Sequence, residues 1–464
     1  MSSLSSATLT AGFIDLATYD ELEKYMYGGP NATAYFVRET RKSTWFTLIP
    51  TYLSKANGSP NFGQEWSVSI SRAGDYLVNT WLRMKLPAIT VNAGGAAAAW
   101  SYCPNFMHNL LEKCQVTFND LVAAEFNSAH LDFWAAFTVP ASKRNGYNNM
   151  IGNTSDMLQL ATINTAKPAK YLDLPLPFFY SRDSGVALPT AALPYNDMRI
   201  KLKFRALNDL VALWDLQGGQ MVPSAQAAPS STTAISSLDA AVWATYAIVS
   251  NDERKRMACA PRDILIEQVQ MAPTGSFTPA TNPNPSFDIR FSHAVKGLYF
   301  AVRHKNRATY LNAGWRSNYM VGSPVAGGVG AVPAVPAGFD VDPISLTSLV
   351  YENTQRLSKM GSDFYSLVNP YYHFPSIPNE SGYHAYSYSL DAVAVDPMGS
   401  TNYGKLTNVS IQPEPSALAV TEAGAASTQF PGAAGGAASY EFLTTAVNNN
   451  IVRVAGGALG FPVL

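Results

Sequence analysis

The sequence predicts an all-β protein built from two copies of one sandwich or barrel domain. Apolar and polar residues alternate with a period of two along many short stretches, and 32 glycines and 30 prolines punctuate the chain. Similar strings also recur in the same order in both halves. Period-two alternation is typical of strands with one buried face, and many short strands separated by turns are typical of sandwiches and barrels.

The clearest strand pair lies early in the chain. Residues 66–71 alternate as Trp-Ser-Val-Ser-Ile-Ser, and residues 76–86 form a second strand that ends before Pro87. Proline has no N–H to donate to a ladder, which explains the stop. Residues 72–75, Arg-Ala-Gly-Asp, predict a tight turn, so we expect a β-hairpin here.

The same alternation predicts strands at residues 114–119, 198–204, 242–249, 263–270, 287–292, 297–303, 384–390, 405–411 and 440–454. Residues 128–137 and 354–368 instead place apolar side chains every three or four positions, which predicts two short helices across the ends of sheets. Three longer stretches, residues 207–238, 321–342 and 413–438, are interpreted as surface loops.

Two pairs of similar strings indicate an internal duplication. Ile-Ser-Arg-Ala at residues 70–73 resembles Phe-Ser-His-Ala at 291–294, an offset of 292 − 71 = 221. Residues 181–187 resemble residues 389–395, an offset of 389 − 181 = 208. Each predicted helix also falls between corresponding strands of its half. The sequence therefore predicts two copies of one β-domain, joined near residues 258–262.

Composition favours a protein with large buried surfaces. The 464 residues suffice for two domains, and only 14% are charged, against roughly 25% in ordinary soluble domains. Obligate subunit interfaces resemble a domain core cut in half, so they would account for the shortage of charge. The net charge is −1 and the longest basic run is Arg254-Lys255-Arg256, so no direct nucleic-acid binding is expected.

Targeting and redox signals are sparse. The first residues show neither the basic nor the apolar region of a secretory signal, and no run of 18 apolar residues predicts a membrane-spanning helix. Cys103, Cys114 and Cys259 lack CxxC spacing and are too few for a disulfide framework. They predict buried thiols in a reducing compartment.

A search for chemistry gives weak candidates only. His373 and His384 lie on either side of a turn, and their convergence in space stays open, although packed or exposed histidines are the simpler interpretation. Cys103 with His108 is a conceivable nucleophile pair, but nothing supplies an orienting group. The histidines of the chain are His108, His130, His293, His304, His373 and His384.

Two carboxylate pairs, Asp252 with Glu253 and Asp340 with Asp342, lack further ligands at metal-binding spacing. No catalytic, cofactor-binding or metal residue is therefore assigned. An aromatic group is a candidate sugar platform, although such clusters more often pack cores or subunit contacts. Its members are Tyr371, Tyr372, Phe374, Tyr383, Tyr386 and Tyr388.

Longer strings resemble the major capsid proteins of iridoviruses, nearest to those of invertebrate iridescent viruses. They are spread in order over the whole chain, which makes the resemblance specific. The strings lie at residues 12–17, 62–72, 107–110, 118–123, 131–134, 188–196, 351–354, 397–404 and 456–464.

This resemblance implies two consecutive eight-stranded antiparallel jelly rolls with a few short helices in loops. It implies a structural protein, not an enzyme, that forms pseudo-hexagonal homotrimeric capsomers in an icosahedral shell. The expected partners are neighbouring capsomers and minor capsid proteins, with an inner viral membrane close by around double-stranded DNA. No cofactor is expected, and assembly is expected in the host cytoplasm.

The expected organisation is an N-terminal arm at residues 1–43, a first jelly roll at 44–259 and a second at 260–464. The arm begins with polar residues and carries Asp20, Glu21 and Glu23. We hypothesise that it locks capsomers together at the inner side of the shell. Two alternatives stay open, a viral surface protein that binds glycans or a receptor, and a metal-dependent jelly-roll enzyme.

Overall fold

The computed structural model describes residues 2–93, 97–224, 230–305, 316–322, 326–334, 341–424 and 439–461. It contains two compact units, Met1–Trp45 and Phe46–Leu464.

The smaller unit contains two helices that the alternating pattern does not reveal, α1 (Ser2–Ala17) and α2 (Glu21–Met26). Asp20 caps α2: the Leu22 N–H donates to Asp20 Oδ1 at 2.8 Å, and the Asp20 N–H donates to the Glu23 carboxylate at 3.3 Å. This reciprocal capping box fixes where the helix begins.

In the larger unit, the first strand set covers residues 46–249. Its strands are β1 (Phe46–Tyr52), β2 (Lys55–Asn57), β3 (Glu65–Ser69), β4 (Tyr76–Leu86), β5 (Val91–Asn92), β6 (Ala97–Tyr102), β7 (Leu111–Phe118), β8 (Leu121–Asn127), β9 (Ala161–Thr162), β10 (Lys170–Pro175), β11 (Met198–Phe204), β12 (Val211–Gln217), β13 (Gln220–Pro223), β14 (Ser231–Thr232) and β15 (Asp239–Val249). Its helices are α3 (Phe106–Leu110), α4 (Ser128–Thr138), α5 (Ala141–Ile151) and α6 (Ser155–Leu158), with 3-10 turns at Phe179–Ser181, Ser184–Val186, Thr190–Ala192 and Leu207–Asp209.

Helix α7 (Asn251–Cys259) leads to the second strand set, residues 262–460. Its strands are β16 (Arg262–Met271), β17 (Gly275–Phe277), β18 (Phe287–Asp288), β19 (Ala294–His304), β20 (Ile344–Tyr351), β21 (Thr354–Gly361), β22 (His384–Ser387), β23 (Thr401–Asn402), β24 (Val409–Pro415), β25 (Tyr440–Ala455) and β26 (Ala458–Gly460). A π-helical turn, Phe364–Val368, runs into α8 (Asn369–His373), and a 3-10 turn, Tyr403–Lys405, and α9 (Ala417–Gly424) follow later.

The two sets share one connectivity. In the first, sheet 1 has the order β1-β15-β4-β10 and sheet 2 contains β3-β11-β7-β8; in the second, sheet 3 contains β16-β25-β19-β22 and sheet 4 has the order β18-β24-β20-β21. Numbered along the chain, these strands come first, eighth, third and sixth in sheets 1 and 3, and second, seventh, fourth and fifth in sheets 2 and 4. This is jelly-roll connectivity, present twice.

Both duplicated strings occupy matching connections. Residues 70–73 join β3 to β4, and residues 291–294 join β18 to β19. Residues 181–187 follow β10, and residues 389–395 follow β22. Each sheet pair encloses its own apolar core, the first including Val68, Leu82 and Ile200 and the second including Leu298, Phe300 and Ile411.

The expected β-hairpin at residues 66–86 is wrong. Strand β3 lies in sheet 2 and β4 in sheet 1, so residues 70–75 form an arch between the two sheets. Arg72 fixes the arch, because its guanidinium donates to the backbone carbonyls of Leu193, Pro194 and Asn196 at 2.6 to 3.1 Å. These partners are far away in sequence, so the local turn signal could not distinguish an arch from a hairpin.

The predicted helix at residues 354–368 is wrong over its first half. Thr354–Gly361 is strand β21, which pairs with β20. Glu352 and Asn353 both have positive φ, 46° and 62°, and form the two-residue turn between these strands. Helical structure begins only after Gly361, whereas the other predicted helix, residues 128–137, matches α4.

The interpretation of residues 207–238 as a loop is also wrong. Strand β12 is buried along most of its length and pairs with β6 and β13 in an additional sheet. Of the other two predicted loops, residues 413–415 belong to β24 and 417–424 form α9, whereas 323–325, 335–340 and 425–438 lie outside the described residues.

Strand boundaries differ elsewhere because turns occupy residues that the alternation assigned to strands, after β18 and β22 and before β24. The strand predicted at 287–292 ends at Asp288, that at 384–390 ends at Ser387, and that at 405–411 is instead Val409–Pro415.

Candidate interaction surfaces

The two histidines considered as metal ligands have separate roles. His384 is buried, its Nε2 lies 2.9 Å from Asp342 Oδ2, and its ring stacks on Phe300. His373 lies 3.1 Å through Nδ1 from the carbonyl of Leu390. Within the described residues no group of three or more His, Cys, Asp or Glu side chains is placed to hold a metal. The pairing of His384 with Asp342 has no local sequence signal.

Cys103 and His108 do not form a nucleophile pair. Burial raises the pKa of the Cys103 thiol to about 12, so its thiolate is scarce at neutral pH. His108 is engaged elsewhere, with Nδ1 2.8 Å from Asp132 and Nε2 2.7 Å from the Tyr147 hydroxyl. Cys114 is also buried, but Cys259 is exposed, so the prediction of buried thiols is wrong for Cys259, which lies at the end of α7.

The carboxylate pairs do not form metal sites within the described residues. Asp252 and Glu253 lie in the first turn of α7, whereas Arg254 beside them binds Asp75 at 2.9 Å. Asp342 accepts the Ile344 N–H as well as the contact from His384. Asp340 lies outside the described residues.

The candidate sugar platform is not assembled as one surface. Tyr371 and Tyr372 are 69% and 70% exposed, but Tyr383 is buried in the apolar cluster beneath α4. Tyr388 turns inward, and its hydroxyl lies 2.6 Å from that of Tyr403. The aromatic group therefore divides between packing and an exposed pair on α8.

Helix α4 of the first strand set covers a sheet of the second. Phe133 and Phe137 are fully buried against the face of sheet 3 that points away from sheet 4. Phe137 lies 5.7 Å from Tyr299 and 5.2 Å from Phe374, measured between ring centroids. Since Leu298 and Phe300 of the same strand point into the jelly-roll core, β19 is apolar on both faces.

A buried carboxylate fastens α4 to its surroundings. Asp132 accepts hydrogen bonds from Asn105 at 3.2 Å, from Ser317 at 2.9 Å and from the Tyr319 hydroxyl at 2.9 Å, and contacts His108. Ser317 and Tyr319 belong to the second strand set, so this carboxylate joins the two sets. Hydrogen bonds to a charged acceptor are among the stronger ones in proteins.

A second polar contact between the strand sets is a buried ion cluster. Glu267 of β16 lies 2.5 Å from Lys296 Nζ and 3.1 Å from Arg182 Nε, and all three side chains are buried. The Arg182 guanidinium also lies 3.6 Å from the centre of the Trp134 ring of α4. Burial lowers the pKa of Arg182, and the neighbouring Glu267 opposes that shift.

The outer face of sheet 1, on the side away from sheet 2, carries aromatic side chains among charged ones such as Arg83 and Lys85. Trp81 and Trp243 stack there with ring centres 6.3 Å apart, and Tyr52 lies 6.1 Å from Trp243. Beside Trp81, a groove of about 940 Å³ separates this face from α4 and α5. On β1, Phe46 and Leu48 are 55% and 53% exposed.

Solved structures with a similar fold are viral capsid proteins. VP54 of PBCV-1, fitted into a reconstruction of the virophage Sputnik, aligns with a TM-score of 0.70 and 19% identity over 93% of this chain and 100% of that chain. The Faustovirus major capsid protein aligns with a TM-score of 0.69 and 10% identity over 94% and 95%. The chain therefore has the double jelly-roll fold of capsid proteins, which confirms the predicted fold class.

Sequence comparison gives the family. Two family models match, the major capsid protein N-terminus at residues 34–249 and the large eukaryotic DNA virus major capsid protein at 253–460. The chain belongs to the family of iridovirus major capsid proteins. It is 56% identical to the major capsid protein of Costelytra zealandica iridescent virus and 55% identical to that of Invertebrate iridescent virus 6, over the full length of each chain.

Lymphocystis disease virus 1 has a relative that is 48% identical over both full lengths. The protein is thus a structural component of the capsid shell and not an enzyme. Within its described part, no helix is long and apolar enough to cross a membrane.

Removal of Glu267 is expected to destabilise the contact between the strand sets. In Glu267→Ala, two buried cations lose their counter-charge, and breaking such a cluster costs about 3–5 kcal/mol. Denaturant unfolding followed by tryptophan fluorescence measures the loss. The control Asp263→Ala removes an exposed partner of Arg453 and should leave the transition unchanged; equal transitions for the two variants would contradict the assignment.

The buried His130 is expected to make the folded protein less stable in acid. Burial and the nearby Arg182 lower its pKa to about 3, and neither ring nitrogen has a hydrogen-bond partner among the described residues. The usual histidine pKa is about 6.5. As the pH falls from this value towards 3, the histidine binds a proton in the unfolded chain but stays neutral in the folded chain. The folded state therefore loses up to about 1.4 kcal/mol per pH unit in that window.

His130→Phe should flatten this part of the stability profile while leaving stability at pH 7 equal or higher. Unfolding midpoints measured from pH 7 to pH 4 test it. A variant with the same pH dependence as the parent would show that other groups cause the loss.

Proposed function

We propose that three copies of this chain form a capsomer of pseudo-hexagonal outline, and that these capsomers tile an icosahedral shell. The observation that carries the proposal is the repeated connectivity of sheets 1 and 2 in sheets 3 and 4. Three chains with two similar domains each supply six similar units around a three-fold axis. Closed symmetry of this kind satisfies the contact surfaces of every copy.

The proposed domains are the first jelly roll at residues 44–259 and the second at 260–464, preceded by an arm at residues 1–43. In support, β15 ends at Val249, β16 begins at Arg262 and α7 lies between them.

Further partners are proposed on the same basis. Neighbouring capsomers and minor capsid proteins would contact the sides of the trimer, and the shell would enclose an inner membrane around double-stranded DNA after assembly in the host cytoplasm. The low proportion of charged residues, 14%, supports extensive contact between subunits, because few charges then have to be desolvated.

Sedimentation velocity of the purified chain tests the trimer. A particle of three times the chain mass of 50.0 kDa is expected, with a six-sided outline in negative-stain micrographs. A chain that remains monomeric at the highest soluble concentration would contradict the proposal.

The arm is tested by deleting residues 1–20, which removes α1 and the Asp20 cap of α2. Trimers are expected to form as in the parent, because the deletion removes neither strand set, whereas shell formation should be impaired. Particle counts by electron microscopy report on shells and sedimentation reports on trimers. Normal shells from the truncated chain would refute a locking role for the arm.

A further inference from the structure

The two strand sets place a helical segment at the same point of their connectivity. Helix α4 lies between β8 and β10, and the segment Phe364–His373 lies between β21 and β22. We call them the first and second crossover helices. They differ in what they cover. The first is buried against sheet 3, whereas the second exposes Val368, Tyr371 and Tyr372 at 43%, 69% and 70%.

The sheet that would match this second helix is also uncovered. Sheet 3 corresponds to sheet 1 in strand order, and the outer face of sheet 1 carries Trp81 and Trp243 beside the groove of about 940 Å³. The first strands of the two sheets show the same contrast. On β16 of sheet 3, Ile264 and Ile266 are packed in the core that includes the first strand set, at 6% and 1% exposure. On β1 of sheet 1, Phe46 and Leu48 are 55% and 53% exposed.

The two crossover helices present large side chains at the same spacing. Phe133 and Phe137 are four positions apart, as are Val368 and Tyr372. Side chains four apart lie on one face of a helix. In the first strand set the groove runs between sheet 1 and the two helices α4 and α5. In the second strand set, the corresponding space between sheet 3 and the end of the second crossover helix is occupied by Phe137, which lies between Tyr299 and Phe374.

We propose that the second crossover helix of one copy docks into the groove on sheet 1 of another copy, repeating between chains the contact that α4 makes within one. The proposal rests on the proposed trimer and names its contact surface. Each copy offers one helix and one groove, so the contact is head-to-tail, and the three-fold symmetry of the proposed trimer closes it into a ring. In a trimer, three contacts within chains then alternate with three contacts between chains.

Charge placed on the second crossover helix tests the contact. Val368→Asp/Tyr372→Asp brings two carboxylates to a mostly apolar surface. The variant should therefore form trimers only at protein concentrations about 100-fold higher than those the parent needs. The matched control, Leu216→Asp/Tyr195→Asp, changes one aliphatic and one tyrosine side chain that are exposed elsewhere, and should remain trimeric. Sedimentation velocity gives the assembly state, and circular dichroism confirms that all variants fold.

Cross-linking tests the same contact without placing charge on it. In a Cys259→Ser background, where Cys103 and Cys114 are buried, Ser142→Cys on the groove rim and Tyr372→Cys are placed on differently tagged copies. A short bifunctional thiol reagent should join the two tags in the mixed trimer. A copy with Ser286→Cys, exposed outside the groove, replaces Ser142→Cys as the control and should join far less.

The outcomes separate this proposal from the trimer itself. A parent trimer that persists in Val368→Asp/Tyr372→Asp, or that cross-links no better through Ser142→Cys than through Ser286→Cys, overturns the docking surface and leaves the trimer standing. A parent that never sediments above monomer mass overturns both.

Discussion

The structure depends on covering sheets that are apolar on both faces. Strand β19 buries Phe300 inside its own jelly roll and Tyr299 outside it, so sheet 3 cannot be left with one face in water. Apolar area returned to solvent costs about 25 cal/mol per Å², and large aromatic rings contribute most of that area. Helix α4 is therefore a structural requirement of the second jelly roll, although it belongs to the first.

Polar contacts then fix the position of α4 that apolar packing alone would leave loosely defined. Asp132 accepts hydrogen bonds from Ser317 and Tyr319, and Glu267 joins Arg182 to Lys296 across the same boundary. A buried ion cluster is weak evidence for net stability. If the two strand sets packed in any other arrangement, however, these buried charges would lose their partners. The ion cluster therefore raises the free energy of the alternative arrangements.

The sequence allowed the strands and their duplication to be predicted, because both leave local traces. The alternation at Tyr76–Leu86 and the repeated string at Ser71 and Ser292 needed no knowledge of partners. The hairpin was mispredicted because Arg72 binds carbonyls over 120 positions away. Strand β21 was mistaken for a helix because Leu357 and Met360 are three positions apart, a helical spacing, although the strand is irregular there and Lys359 has a positive φ of 44°. The interaction surfaces could not be predicted for the same reason, because the roles of Asp132 and Glu267 depend on partners that are distant in the sequence.

The contact within the chain and the proposed contact between chains face different conditions, and their residues differ accordingly. Phe133 and Phe137 are tethered to sheet 3 by the chain and are covered as soon as it folds, so plain phenyl rings suffice. A surface that is covered only when a second copy binds is exposed to water before association, and the separate chain must remain soluble in that state. Tyr371, Tyr372, Trp81 and Trp243 meet that need, because each combines a large apolar ring with a polar group that water can satisfy. Tyrosine and tryptophan are also the residues enriched at interfaces between proteins.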